Sequence, residues 1–252
     1  MKLLTLARDL GRRKARERRA KFVVEGVRAT EELLRSGLTI TGALTAPQLE
    51  DAPRGRALHD ALVARGVTVD EITARDFGSA AQTESPQGII AIADVPDFSL
   101  QNVTLSNAPL LILDGVQDPG NVGTILRTAA ALGASATIAL PGTVDLWNPK
   151  VVRAAMGAHF SHPAFDCTWD ELAPFLANNG VALWVAAAGG ASVRDIRRPS
   201  RVAIALGNEG AGVSSAVADA ATQRIGIPIS ANTESLNVAI SAAILLFALA
   251  DA

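Results

Sequence analysis

Residues 113–134 read LDGVQDPGNVGTILRTAAALGA, and this stretch carries the pattern that decides the fold. It begins where a short and wholly apolar segment, residues 110–113, ends, and such a segment is typical of a strand buried on both faces of a sheet. Residues 121–132 then have helical spacing and are stopped by Gly133, and residues 136–140 form the next apolar strand. A strand–helix–strand unit of this kind predicts an α/β fold with a parallel sheet.

Apolar strands and helices continue in both directions from this stretch. Toward the C-terminus we predict strands at residues 181–187, 202–206 and 224–227, a short helix at 149–156, and a very apolar helix at 236–250. Toward the N-terminus we predict strands at residues 21–25, 39–45, 67–72 and 88–93, and helices at 26–36 and 54–65. Both sets alternate strands with helices, which is typical of α/β domains.

A polar segment separates the two sets of elements. Residues 94–108 (DVPDFSLQNVTLSNA) contain proline and have no helical period, which is typical of a linker. We therefore expect a small N-terminal α/β domain at residues 1–95, a linker at 96–107, and a second α/β domain with a parallel sheet at 108–252.

Composition excludes several classes of protein. With 252 residues, 49% hydrophobic and 19% charged, the chain can bury a large core and is not disordered. The single cysteine, Cys167, excludes an intrachain disulfide and a cysteine-rich zinc site, and it favours a reduced, cytoplasmic protein. The longest apolar run, residues 238–250, has 13 residues, whereas a membrane span needs about 20. This run forms a helix with almost no polar face, so either its own domain or a second subunit covers it, and we favour a homodimer.

Positive charge is concentrated at the N-terminus. Residues 1–28 contain ten Lys and Arg against three Asp and Glu, although the whole chain has a net charge of −2. A basic segment on an acidic body favours a polyanion such as RNA as partner, and the alternative is a solvated helix without a partner. The candidate RNA-binding residues are Arg12, Arg13, Lys14, Arg16, Arg18 and Arg19.

Three segments rich in glycine, asparagine and small polar residues follow buried strands. They are residues 113–134, residues 205–214 (ALGNEGAGVS) and residues 227–243 (IPISANTESLNVAISAA). Ligands of open α/β sheets bind beyond the carboxyl ends of the strands, so these segments could converge on one crevice. None of them is a Walker A loop, a GxGxxG fingerprint or a GxSxG elbow. The His and Cys residues between 159 and 167 are spaced too loosely to indicate a metal site.

Each polar residue in these segments has a structural and a functional interpretation. Asn121 could cap the helix that follows it, and Arg127, among apolar neighbours, could lie on the surface or meet an anionic partner. Glu209 lies in a glycine turn, where it could accept hydrogen bonds or pair with an arginine such as Arg127. Ser235 and Asn237 lie where the last helix begins, and either could simply cap it.

Taken in order, N-x-G-x₃-R-T-A, G-N-E-G-x-G and IPISANTESLNVA resemble the three signature motifs of the SpoU/TrmH family of RNA ribose 2′-O-methyltransferases. The resemblance covers residues 110–250 almost continuously. The N-terminal stretches FVVEGVRATEELL and ESPQGIIAIA resemble the ribosomal-protein-like RNA-binding domain of the rRNA-modifying branch of this family.

The resemblance implies a C-terminal domain of the SPOUT type with a deep trefoil knot, whose loops bind S-adenosylmethionine, and a homodimer. By position, Gly207, Ile227 and Leu236 would contact the cofactor. The positions that would serve catalysis are Asn121, Arg127, Glu209, Ser235 and Asn237. The implied substrate is structured RNA, with 23S rRNA preferred because of the N-terminal domain, and no metal is needed.

Three other functions fit the sequence less well. A non-catalytic RNA-binding or ribosome-assembly protein could share the fold, and a tRNA 2′-O-methyltransferase could share the motifs. A nucleotide-dependent oxidoreductase is disfavoured, because the dinucleotide fingerprint is missing.

Overall fold

Two β-sheets organise the part of the chain that the computed structural model describes, which is residues 2–230, 232–233 and 235–250. The mixed α/β class expected from the sequence is confirmed. In these ranges no helix is both long enough and apolar enough to cross a membrane. The chain forms two compact units, each built around one of the sheets.

The N-terminal unit comprises the residues up to Asp97 together with Trp147–Phe160. Its strands are β1 (Lys21–Glu25), β2 (Ile40–Thr45), β3 (Val69–Glu71) and β4 (Ile89–Asp94). The helices that precede Asp97 are α1 (Lys2–Leu10), α2 (Arg13–Arg19), α3 (Val27–Ser36), α4 (Pro53–Ala64) and α5 (Ala74–Gly78). The sheet order is β1-β4-β2-β3, and of these pairs only β2–β3 is parallel.

All four strands and both helices predicted for this region are present, with ends that shift by at most two residues. The basic N-terminal segment is helical. Helix α1 buries Leu4, Ala7 and Leu10, which recur every three residues and therefore lie on one helix face. These side chains pack in a core that includes Phe77 and Ile92.

The C-terminal unit comprises Phe98–Leu146 and the residues from Ser161 onward. Its strands are β5 (Leu110–Asp114), β6 (Ala136–Ala139), β7 (Ala164–Asp166), β8 (Ala182–Ser192), β9 (Val202–Gly207) and β10 (Gln223–Gly226). The helices in this half of the chain are α6 (Pro119–Ala131), α7 (Pro149–Ala155), α8 (Trp169–Asn178), α9 (Ser215–Ala220) and α10 (Val238–Leu249). Of these helices, α7 belongs to the N-terminal unit.

The second sheet is parallel throughout, in the order β10-β8-β9-β5-β6-β7. Its central strands β5 and β9 are apolar apart from Asp114 at the end of β5, and they are almost fully buried, as strands covered on both faces must be. Because all strands run in one direction, the loops that leave their carboxyl ends meet at one edge of the sheet. This edge carries the three segments singled out in the sequence.

Two details of the prediction are wrong. The N-cap of α6 is Asp118, whose carboxylate accepts a hydrogen bond from the Asn121 backbone N–H at 2.7 Å, so Asn121 is not the cap. Strand β8 continues to Ser192, beyond its predicted end at residue 187, because it resumes pairing with β10 after a break in register. The sequence pattern also missed β7, α8 and α9.

Helix α10 keeps one apolar face exposed in the single chain. Ile240, Ile244 and Phe247 are spaced by four and three residues, so they lie on one side of the helix. Phe247 is 75% exposed, although it belongs to a helix whose other face is buried in the unit. The homodimer expected from this helix stays a prediction.

Candidate functional site

A cavity of about 840 Å³, here called the strand-end cavity, lies where β9 and β10 end, beside the middle of β8. Its walls are residues 185–189, the turn at 206–213, residues 224–227 at the end of β10, and the chain around the start of α10. Small-molecule sites in proteins typically have volumes of about 300 to 1,000 Å³. The cavity is therefore large enough for one ligand of the size of a nucleoside cofactor.

A tight glycine turn forms one wall of the cavity. Asn208 and Gly212 exchange two backbone hydrogen bonds, both of 2.9 Å, which fold the turn back over the end of β9. A Cβ atom added to Gly207 would lie 2.1 Å from the carbonyl carbon of Gly212, so only glycine fits there. Positive φ is needed at Gly212, where φ is +73°.

A second wall comes from an excursion of β8 that sequence reasoning missed. Val185 lies opposite Arg224 and Ala191 lies opposite Ile225, so the residues between Val185 and Ala191 bulge out of the sheet. The first of these bulged residues line the cavity. Residues 186–190 read AAAGG, and this run of small residues directly after an apolar strand was the available signal.

Asn121, Glu209 and Asn237 form one hydrogen-bonded network. The Asn121 side-chain amide donates to the Glu209 carboxylate at 2.7 Å, and the Asn237 amide donates to Asn121 Oδ1 at 3.0 Å. The three residues come from the three sequence segments, so the expected convergence of these segments is observed. Asn237 also caps α10, because its Oδ1 accepts from the backbone N–H groups of Ala239 and Ile240.

Arg127 lies on α6 with its side chain exposed. Across the described residues it makes no ion pair with Glu209, whose carboxylate instead accepts from the Asn121 amide. Arg127 does not line the strand-end cavity. The guanidinium is thus available to an external anion.

The other predicted residues of the site lie at the cavity. Gly207, Ile227, Ser235 and Leu236 all line it, and Ser235 is exposed there. Ser235 is not the cap of α10, since Asn237 takes that role. The cavity therefore gathers the predicted cofactor contacts and three of the predicted polar residues, Glu209, Ser235 and Asn237.

A clamp of side-chain hydrogen bonds holds the first two segments together. Asp114 is buried, and its carboxylate accepts from the Ser214 backbone N–H at 2.6 Å. The Asn208 amide donates to the Gly115 carbonyl at 3.1 Å, while its Oδ1 accepts from two backbone N–H groups of its own turn. Thr143 donates to the Leu113 carbonyl and accepts from the Gly115 N–H. The clamp fixes the turn that carries Glu209 against the end of β5.

The predicted RNA-binding cations lie on or next to α2, and all but one are exposed. The exposed residues are Arg12, Arg13, Lys14, Arg18 and Arg19. Arg16 is buried, and its guanidinium donates to the Leu10 carbonyl at 2.7 Å, so it has a structural role between α1 and α2.

The histidines and the cysteine in the loose H-x₂-H-x₄-C pattern have local partners. His162 is buried and bonds to Thr137 Oγ1 at 2.8 Å, and burial lowers its pKa to about 4. Burial, followed by the nearby Glu171 carboxylate, raises the pKa of the Cys167 thiol to about 11. His159 packs against Trp147 and Phe160 in the N-terminal unit. In the described ranges no cluster of three or more His, Cys, Asp or Glu side chains could hold a metal ion.

Both halves of the chain match models of known families. Residues 108–247 match the SpoU rRNA Methylase family, and residues 5–91 match the MRM3-like substrate binding domain. The chain is 32% identical to the 23S rRNA (guanosine(2553)-2′-O)-methyltransferase RlmP of Bacillus subtilis over 241 residues, which cover 95% of this chain and 92% of that protein.

Solved structures of similar proteins have the same fold over almost the entire chain. The AdoMet-bound rRNA methyltransferase from Sinorhizobium meliloti superposes with a TM-score of 0.86 at 29% identity, covering 98% of this chain and 93% of that one. The SpoU methyltransferase AviRb from Streptomyces viridochromogenes, in complex with AdoMet, has a TM-score of 0.87 at 25% identity, covering 98% and 96%.

Proposed function

Because this chain belongs to the SpoU rRNA methylase family, we propose that it transfers a methyl group from S-adenosylmethionine to a ribose 2′-hydroxyl of ribosomal RNA, with 23S rRNA as the preferred substrate. The network of Asn121, Glu209 and Asn237 is the observation that carries this proposal, because it joins three distant segments beside one cavity. A protein that only bound RNA would gain nothing from holding these polar side chains together.

The strand-end cavity fits S-adenosylmethionine in size and in chemistry. Gly207 contributes backbone alone to one wall, while Ile227 and Leu236 offer apolar side chains for a nucleobase. These three residues would hold the cofactor. When bound, S-adenosylmethionine supplies a methyl group on a sulfonium centre, which is already a good electrophile.

The chain's own residues must orient the ribose hydroxyl and stabilise the charge that develops on its oxygen. Arg127 is exposed and free of an acidic partner in the described residues, so it is placed to bind an RNA phosphate and the developing alkoxide. A guanidinium is a poor base, because it keeps its proton far above neutral pH. Asn121, held by Glu209 and Asn237, would orient the hydroxyl, and Ser235 would shape the site.

RNA binding belongs to the N-terminal part of the chain in this proposal. Residues 1–95 form the substrate-binding domain, residues 96–107 the linker and residues 108–252 the methyltransferase domain. The match of residues 5–91 to a substrate-binding domain and the exposed cations of α2 support this division. Arg16, being buried, would act by holding α2 in place.

Three further properties complete the proposal. Two copies associate through the exposed face of α10, which would cover Ile240, Ile244 and Phe247. The C-terminal domain contains the trefoil knot that the resemblance to the SpoU/TrmH family implies, which the match of residues 108–247 to the SpoU family supports. The protein acts in the cytoplasm, where its single cysteine, Cys167, stays reduced.

The test combines a binding measurement with a map of RNA modification. Calorimetric titration of the purified protein should show binding of S-adenosylmethionine, and rRNA from a deletion strain should lack one ribose methyl group. No cofactor binding would favour a non-catalytic RNA-binding or ribosome-assembly protein. Loss of a methyl group from a tRNA instead would assign the protein to tRNA.

A further inference from the structure

Cations are few and clustered in the C-terminal unit. Its sequence holds only six Lys and Arg residues against eleven Asp and Glu residues. Four of the six cations lie within eight residues between β8 and β9: Arg194, Arg197, Arg198 and Arg201. An acidic unit therefore carries one compact basic segment, and such a segment favours an anionic partner.

The first part of this segment is fixed beside the strand-end cavity. The backbone N–H of Val193 donates to the Gly226 carbonyl at 3.0 Å, and Gly226 lines the cavity. Val193 is buried, and the N–H of Asp195 closes the turn on the Ser192 carbonyl at 3.0 Å. Arg194 therefore follows directly after Val193, which is hydrogen-bonded to a residue of the cavity wall.

Two of the four arginines have structural partners in the fold. Arg198 donates to the Leu249 carbonyl at the end of α10. Arg201 donates to the Asn179 carbonyl at 3.0 Å, and its own carbonyl accepts from the N–H of Ala182, where β8 begins. Arg201 therefore lies at the amino edge of the sheet, opposite the cavity.

The other two arginines, Arg194 and Arg197, are exposed. In the described part of the chain neither is paired with a carboxylate. Each thus keeps a full set of guanidinium donors for an external anion.

We propose that Arg194, beside the strand-end cavity, and Arg197, three residues further along the same segment, bind backbone phosphates of the substrate RNA, as a contact separate from α2. The inference rests on the proposed function and adds a second RNA-binding surface to it. Because this unit holds more Asp and Glu than Lys and Arg, the two cations offset part of its repulsion of the RNA backbone. Arginine suits this role because its planar guanidinium binds phosphate through two parallel hydrogen bonds.

Single variants with a matched control test the contact. Arg194→Gln and Arg197→Gln each remove one exposed charge of this segment, and Arg201→Gln removes one charge at the edge of the sheet opposite the cavity. Binding of a full-length 23S rRNA transcript is measured by filter retention at several KCl concentrations. Each of the first two variants should reduce the slope of log affinity against log salt by about 0.7 to 0.9, the value for one phosphate contact, and Arg201→Gln should not.

Two accompanying measurements distinguish an RNA contact from a cofactor contact and from a protein contact. Calorimetric affinity for S-adenosylmethionine should stay at the wild-type value, since neither arginine lines the cavity. If Arg194→Gln and Arg197→Gln had the same salt slope as Arg201→Gln, the inference would be overturned. The inference would also be overturned if these two variants kept the wild-type salt slope but dissociated into monomers in sedimentation. That result would assign the segment to a protein contact. A wild-type protein that binds the transcript but transfers no methyl group would defeat the proposed function, while the slopes would still decide this inference.

Discussion

At the scale of single residues, Arg127 is the side chain whose replacement should separate chemistry from binding. We expect Arg127→Ala to lower the rate of methyl transfer at least about a hundredfold, the loss typical of one strong electrostatic contact in a transition state. The affinity for S-adenosylmethionine should stay nearly unchanged, because Arg127 does not line the cavity. Single-turnover rates and calorimetric titration measure the two quantities.

Arg127→Lys provides the control for charge alone. Lysine keeps the positive charge but loses the planar fork of donors, so this variant should recover only part of the lost rate. A rate of Arg127→Ala equal to that of the wild type would remove Arg127 from the mechanism.

The order of the motifs predicted that their segments converge, as the bonds among Asn121, Glu209 and Asn237 show, but the partners within the site could not be predicted. Asn121 is a residue type that commonly caps a helix, whereas the observed cap of α6 is Asp118. Glu209 accepts a hydrogen bond from the Asn121 amide, and in the described residues Arg127 makes no ion pair with Glu209. An amide side chain can donate and accept at once, so several pairings satisfy the same sequence, and only the folded backbone selects one.

At the scale of elements, helix α2 should contribute a large share of RNA affinity. Replacing Arg12, Lys14, Arg18 and Arg19 with Gln removes four exposed cations without touching the core. If all four contact phosphates, the slope of log affinity against log salt should fall by about 3. Filter binding to a 23S rRNA transcript at several salt concentrations gives the slope.

Arg16 supplies the control from the same helix. Because Arg16 is buried and bonded to the Leu10 carbonyl, Arg16→Gln should lower the free energy of unfolding and leave the salt slope as in the wild type. An undiminished slope in the fourfold variant would reject α2 as an RNA contact.

The sequence predicted elements well where burial alone decides them. Strands such as β5 and β9 are covered on both faces, so their apolar runs identify them. The excursion of β8 could not be predicted, because the resumed pairing of Ala191 with Ile225 depends on contacts distant in sequence. Strand β7 has only three residues, too few to show a period.

At the scale of the whole molecule, His162 should make stability depend on pH. Its pKa is lowered from 6.5 to about 4 by burial, so between these values the unfolded chain binds a proton that the folded chain does not. Stability is therefore lost as pH falls from 6.5 toward 4, by about 2 kcal/mol at pH 5. Urea unfolding at pH 7 and pH 5 measures the free energy of unfolding. Between these pH values, the wild type should lose more of it than His162→Gln does. Equal losses of unfolding free energy in the two proteins would contradict the assignment of this pH dependence to His162.

The exposed face of α10 gives a prediction about assembly. In a twofold dimer each residue of the interface counts twice, so placing a charge at Phe247 should cost at least about 3 kcal/mol, or more than a hundredfold in association. We expect Phe247→Glu to sediment as a monomer at concentrations where the wild type is a dimer. Val63→Glu on α4 is the matched control, because Val63 is also an exposed apolar side chain, at 53%. A wild-type protein that is monomeric would refute the homodimer. A Phe247→Glu variant that stays dimeric while Val63→Glu dissociates would place the interface away from α10.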